Sequence, residues 1–399
     1  MKKYFLTLAV LFISGYFASQ IQSSFGNVRV QSIKIPTQNG QWLVADLFKP
    51  YSATANNPSP LVIVVPGFQR SKETLSNIAI ELSRRGIVTI SIDPYAQGLS
   101  SSSFSTRAAT KEGYGMFSLV DYVYDTSILN YIDKDKIGVT GHSAGGLAAI
   151  RSAQHFGKIA RKKNTKSKVH SVFVSGMLRM GFKEKDLKKI RSNVGVSYAL
   201  YDEGAWQNEL KNGNLEYAPE ILRLINLQNN GENNIRRVEM GKYYGSIDNN
   251  SATIIFNEKL LHPFQPYSKQ AISNQINYFL KVFEMNDVMR GDNQIWFWKE
   301  LLTFMCLVCG LILIIPTSKF FLDLSFFKEL KKPIPKSIPV PKGRGLILFW
   351  GIISISILIA CFSFVPLSEL TKSLFIDAAN RKQTWFFPQR MNNAIMLWA

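Results

Sequence analysis

Hydrophobic positions along this chain fall into three patterns. Long apolar runs lie near both ends: Tyr4–Phe17, Leu301–Ile315 and Gly345–Pro366, the last being the longest and free of charge. Between them, Leu61–Val65, Ile87–Ile92, Lys136–Thr140, Val172–Ser175, Val194–Tyr201 and Ala252–Phe256 are short apolar blocks rich in β-branched residues, which predict strands. Ser71–Arg85, Phe117–Tyr131, Ala144 to about Phe156, Tyr217–Leu227 and Ser268–Phe283 have helical periodicity. Val28–Lys49, with a turn at Gln38–Gln41, predicts a hairpin ahead of these elements. Strands alternating with helices predict βαβ units, and strands apolar on both faces predict a sheet covered on both sides. The expected class is α/β: a doubly wound, mostly parallel sheet over residues 27–290, followed by C-terminal transmembrane helices.

The terminal runs predict a membrane protein. Lys2 and Lys3 precede the first run, the layout of a secretory start. Bulky Tyr16 makes a poor cleavage site, so residues 1–26 are expected to be an uncleaved signal anchor, with a cleaved signal peptide as the alternative. Residues 295–316, opening on Trp296, Phe297 and Trp298, and residues 345–366 predict two spans. The segment 317–344 between them carries Lys319, Lys328, Lys331, Lys332, Lys336, Lys342 and Arg344 against Asp323 and Glu329. Positive charge favours the cytoplasmic side, and Pro333, Pro335, Pro339 and Pro341 favour an extended linker. Lys2 and Lys3 belong on that side too, so residues 27–290 are expected outside the cytoplasm on a multi-pass chain. Residues 367–399 are a tail whose apolar end, Ala394–Ala399, resembles the opening of another span.

Composition removes several alternatives. The chain has 399 residues and a net charge of +19, with three cysteines and four histidines. Cys306, Cys309 and Cys361 all lie in the C-terminal apolar runs, which leaves the polar part without a disulfide framework or a cysteine nucleophile. Scattered histidines do not make a zinc site, and no metal or cofactor is expected. The basic excess lacks a nucleic-acid motif with interleaved aromatics, so the membrane is the expected anionic partner and nucleic acid is not. Lys158–Arg191, rich in Lys and Arg, is either a face for anionic lipid or wall polymer or a solvated basic surface.

The candidate chemistry sits in Lys136-Ile-Gly-Val-Thr-Gly-His-Ser143-Ala-Gly-Gly. A strand runs into G-x-S-x-G and a small-residue helix follows, the context of a nucleophile elbow. Ser143 must occupy a sharp, strained turn, and Gly141 and Gly145 remove the Cβ atoms that would collide there. With this motif in place, residues 28–284 resemble the α/β-hydrolase family, in its dienelactone-hydrolase and esterase-like branch. The run Leu61-Val-Ile-Val-Val-Pro-Gly67-Phe68 matches the family's first buried parallel strand and its oxyanion loop. The resemblance implies the backbone N–H groups of Phe68 and Ala144 as oxyanion donors. The stretch Ser91-Ile-Asp93-Pro-Tyr-Ala-Gln-Gly98-Leu-Ser100 resembles a family loop, with one of its glycines absent. Asp93 precedes the nucleophile and is expected to be structural.

In this family the acid follows a later strand and the base comes last. Val194–Tyr201 ends in Asp202, with Glu203 as the adjacent rival and Asp248 as a further one lying before a strand. His142 is inside the elbow, His155 ends its helix and His170 begins a strand, which leaves His262 between Ala252–Phe256 and the last helix. The expected catalytic set is Ser143, Asp202 and His262, in the chain order of α/β hydrolases. It implies hydrolysis of a small-molecule or lipid-like acyl substrate, an ester first, through an acyl-enzyme. A peptidase or amidase of the same fold, and a non-catalytic hydrolase-fold binding domain, are the alternatives. The segment 204–245 is long enough to hold a small cap.

Overall fold

The computed structural model describes the chain except residues 1, 104, 106, 230–233, 287, 334 and 375–394. It divides into two units, one of Gln20–Phe297 and one of Met1–Ser19 with Trp298–Ala399. Part of the expected span-like ending, Ala394, and most of the tail before it fall outside the described residues.

The larger unit is built on nine strands: β1 (Val28–Pro36), β2 (Trp42–Pro50), β3 (Ser59–Val65), β4 (Val88–Ile92), β5 (Ile132–His142), β6 (Ser171–Ser175), β7 (Asn193–Ala199), β8 (Tyr243–Tyr244) and β9 (Thr253–Glu258). They form one sheet in the order β1-β2-β4-β3-β5-β6-β7-β9-β8. The β1–β2 hairpin is paired from Val28 with Pro50 to Pro36 with Trp42. β3 is parallel to β4 and β5, and the parallel run continues through β6, β7 and β9. β2 and β8 join it antiparallel. After β3 the chain steps to one side for β4 and to the other for β5. That reversal opens a crevice at the carboxyl end of β3, where open α/β sheets bind ligands.

The helices are α1 (Lys2–Gln22), α2 (Ser76–Ser83), the short α3 (Ala108–Lys111), α4 (Met116–Asp125), α5 (Ala144–Lys163), the short α6 (Glu184–Leu187), α7 (Pro219–Gln228), α8 (Lys269–Val282), α9 (Trp296–Asp323) and α10 (Arg344–Leu374). Alternation along β3 sorts them onto two faces. Leu61, Ile63 and Val65 share one core with Leu119 and Val120 of α4, Leu147 and Ile150 of α5 and Leu224 of α7. Val62 and Val64 share the other with Ile78 of α2 and Ile276 and Phe279 of α8. This is the doubly wound arrangement expected from continuous apolar strands.

Two helices differ in length from their sequence pattern. α4 stops at Asp125 because Thr126 turns to extended backbone. α5 runs past Phe156 to Lys163 and ends on left-handed Asn164, with Arg161, Lys162 and Lys163 favourably placed at the negative end of the helix.

The edge of this unit remote from the strands' carboxyl ends gathers both ends of its chain. Tyr51 N–H donates to the Asn27 carbonyl at 3.1 Å. A Cβ at Gly86 would lie 3.8 Å from both Ser52 Oγ and Met285 Cε. Nearby, the fully buried Glu81 and Arg85 form a clasp. Arg85 donates to the carbonyls of Glu81, Met289, Arg290 and Asn293 and to the Glu81 carboxylate. Glu81 Oε1 accepts the N–H groups of Ile295 and Trp296 at 2.7 and 3.0 Å.

The smaller unit contains α1, most of α9, and α10. Lys2–Gln22, Trp296–Asp323 and Arg344–Thr371 are long and apolar enough to cross a membrane, with mean hydropathies of 1.5, 2.3 and 2.5. Cys306 Sγ on α9 reaches the Leu11 carbonyl on α1 at 3.5 Å. α9 continues to Asp323, through Pro316; a short 3-10 turn, Lys328–Leu330, follows, and the described residues of 331–342 form neither helix nor strand.

Candidate active site

Ser143 ends β5 and opens α5 at φ 59°, ψ −122°, a conformation that a side chain rarely adopts. The surroundings enforce it. Its N–H donates to the Ser175 carbonyl at 2.9 Å, and its carbonyl accepts the Leu147 N–H at 3.1 Å. A Cβ at Gly145 would lie 2.0 Å from the Val65 carbonyl oxygen, and one at Gly141 2.5 Å from the same atom. The end of β3 therefore presses on the turn so closely that only glycine fits on either side of Ser143. A Cβ at Gly67 would lie 3.4 Å from Ser143 Cβ, which places the Gly67–Phe68 turn directly beside the serine. Ala144 is the first residue of α5, where backbone N–H groups have no partner one turn back.

Asp202 and His262 meet across the ends of β7 and β9. His262 Nδ1–H donates to Asp202 Oδ2 at 2.6 Å, and Asp202 Oδ1 accepts the Gly204 N–H at 2.7 Å. Asp202 is buried and His262 half-buried. The rivals lie elsewhere: Glu203 and Asp248 are exposed, His155 stacks on Phe117 at 4.3 Å, and His170 lies against Phe283. Asp93 is buried as a tie between loops, accepting the N–H groups of Lys72 at 2.8 Å and Leu99 at 3.0 Å. Gly98, at φ 54°, passes so close that a Cβ would fall 2.2 Å from Asp93 Cγ. Gln97 Oε1 accepts the Arg70 N–H at 2.8 Å and so steadies the turn that carries Phe68.

Two residues escaped the sequence reading. His142, inside the elbow, lies with its ring 4.5 Å from that of His262. Burial, then the neighbouring His262 and Arg70, push its pKa down to about 3, so it stays neutral. Gln265 donates through Nε2 to Ser197 Oγ at 2.7 Å and to Glu258 Oε2 at 3.3 Å, which fastens the short helix His262–Tyr267 to β7 and β9. No motif marks either residue, since both act through contacts made only in the fold.

The rim is apolar. Phe68, Met180, Tyr201, Trp206, Leu261 and Phe264 are exposed on the loops that follow β3, β6, β7 and β9. Within 204–245, by contrast, α7 sends Ile221, Leu224 and Ile225 into the core. Among the described residues no group of three His, Cys, Asp or Glu side chains could hold a metal ion.

Strand order, crossover point and elbow together make this protein an α/β hydrolase in fold. A family model described as PET hydrolase-like matches residues 17–170. No curated protein matches. Among solved structures, the chain is similar to an esterase of Pyrococcus furiosus, at 14% identity and TM-score 0.44, over 64% of this chain and 92% of that one. It is also similar to an esterase of Pyrobaculum calidifontis, at 18% identity and TM-score 0.41, over 69% and 93%. A third likeness is to brefeldin A esterase, a bacterial homologue of human hormone-sensitive lipase, at 11% identity and TM-score 0.45, over 70% and 87%.

Proposed function

We propose that this chain is a membrane-anchored serine hydrolase that cleaves carboxylic esters, with Ser143 as nucleophile, His262 as base and Asp202 as its orienting acid. The observation that carries the reading is the partly buried 2.6 Å bond from His262 to Asp202, set beside a strained serine turn. Asp202 holds the proton on Nδ1, so Nε2 is left to take the Ser143 proton as Oγ attacks the ester carbonyl. The N–H groups of Phe68 and Ala144 receive the oxyanion, a contribution of about 3–4 kcal/mol per donor in comparable sites. His262 then protonates the leaving alcohol, and water repeats the cycle on the acyl-enzyme. The similarity to PET hydrolase-like proteins supports an ester as the scissile bond.

The test is labelling of the full-length protein in detergent with a fluorophosphonate probe, alongside hydrolysis of p-nitrophenyl butyrate. Both are expected to disappear in Ser143→Ala. A folded wild-type protein that neither labels nor turns over ends the proposal.

The three long apolar helices support membrane anchorage. The basic 317–344 segment belongs in the cytoplasm, and residues 27–290 outside. A cysteine introduced at exposed Lys162 is expected to react with an impermeant maleimide in intact cells, and one at Lys332 only after permeabilisation. The reverse pattern overturns the orientation.

A further inference from the structure

Behind the Ser143 turn lies a small cavity of about 10 Å³, bordered by His142, Gln265 and Gln275 and, on its apolar side, by Ile78, Ala271 and Ile272. That is the size at which a polar cavity begins to hold a single water. Two buried atoms border it: His142 Nε2 and Gln265 Oε1, neither with a hydrogen-bond partner among the described residues. Their side chains are almost fully buried, at 3% and 0% exposure. A Cβ at Gly176 would lie 2.7 Å from the first atom and 3.1 Å from the second, so both face one small space.

Gln265 uses its amide nitrogen on Ser197 and Glu258, which turns its oxygen, an acceptor, toward the cavity. His142 Nε2 accepts or donates according to which ring nitrogen carries the proton. Two buried polar atoms without a protein partner among the described residues are costly unless something bonds to both. A water both donates and accepts, so one molecule satisfies the pair with either tautomer.

We propose that His142 and Gln265 hold one buried water between Nε2 and Oε1, and that this bridged pair positions His262. Through it the nucleophile turn grips the base loop at Gln265, three residues beyond His262, whose ring lies 4.5 Å from that of His142. The His142 ring is then unable to swing away from His262, and the base keeps its aim at Ser143 while its own charge changes. His142 and Gln265 are positioning residues in this scheme. The positioning role rests on the catalytic assignment proposed above; the water rests on the geometry alone.

The test uses the full chain in detergent, with rates of p-nitrophenyl butyrate hydrolysis expressed per site titrated by fluorophosphonate. His142→Leu, which removes donor and acceptor together, is expected to lower kcat roughly ten- to a hundredfold while KM stays within about twofold. Gln265→Leu is expected to act in the same direction. His142→Asn keeps a side chain that can both donate and accept and is expected to recover most of the lost rate. A merely structural role predicts fewer titratable sites with unchanged kcat per site, and that result in both leucine variants overturns the positioning. A high-resolution structure of Ser143→Ala with density for one water touching His142 and Gln265 supports the bridge; a dry cavity overturns it. Failure of Ser143→Ala to abolish labelling would strike the catalytic assignment and leave the water to be judged by density.

Discussion

The domain contains two buried polar clusters that are built in opposite ways. In the Glu81–Arg85 clasp, the guanidinium spends its donors on four carbonyls and a carboxylate, and Glu81 caps the backbone at Ile295 and Trp296. Around Ser143 the backbone is strained, two buried polar atoms lack protein partners among the described residues, and apolar side chains stand exposed at the rim. The first cluster is complete within the protein and serves to hold the chain together. On the function and the bridge proposed above, the second is completed by a water behind the turn and an acyl group before it. Unsatisfied polar groups and strain mark where a fold departs from its own optimum, and such departures gather at sites.

That contrast predicts that damage to the two clusters separates activity from stability. Ser143→Ala and His262→Ala are each expected to cost on the order of 10⁵- to 10⁶-fold in kcat with the unfolding transition in place, measured by ester hydrolysis and thermal melts. Similar losses are expected because the residues act as a unit; a His262→Ala protein retaining most activity removes it as base. Asp202→Asn is expected to lose about 10⁴-fold, since an amide N–H then donates to Nδ1 and holds the ring proton on Nε2, the nitrogen that must take the proton of Ser143. Gly145→Ala should damage both properties, because a methyl 2.0 Å from the Val65 carbonyl must displace either the turn or β3. A loss of roughly 3–5 kcal/mol together with probe labelling is expected, and an unperturbed Tm would break the account of the elbow. Arg85→Met leaves Arg84, 2.7 Å from Glu81 Oε2, as the ion-pair partner of that buried carboxylate, and takes the guanidinium from the carbonyls of Met289, Arg290 and Asn293; it is expected to cost about 3–5 kcal/mol while kcat per labelled site stays unchanged.

The smallest expected effect concerns Glu258, behind the base loop. Burial raises its pKa above the ordinary carboxyl value, against hydrogen bonds from Asn274, Ser197 and Gln265 that lower it. A folded pKa above the unfolded one means a contribution fully present below the unfolded value and lost as pH rises through the folded value. Glu258→Gln should therefore gain on the wild type as pH climbs from about 4.3 toward neutrality, read as the difference in Tm. A difference that does not change with pH contradicts it.

How much of this was legible in the sequence depended on how local each feature is. β3, β4, β6, β7, the second half of β5 and the first half of β9 announce themselves because burial on both faces leaves short apolar runs free of charge. Ser143 is legible because its glycines are demanded within two residues of it. His262 follows from chain order and a short roster of histidines. β8, only two residues long, carries no pattern at all. Glu81 and Arg85 look from the sequence like an ordinary exposed pair one helical turn apart. They are buried because residues 289–296, two hundred positions later, close over them. His142 and Gln265 belong to this second kind: their meaning lies in a distance that no spacing encodes.

The meeting of Asn27, Ser52, Gly86 and Met285 has a consequence on a longer timescale. A domain that takes in and gives back its chain at one place, away from its working edge, behaves as a cassette. Recombination can insert it into a host chain, or remove it, without prising the host's flanking segments apart or rewiring the sheet.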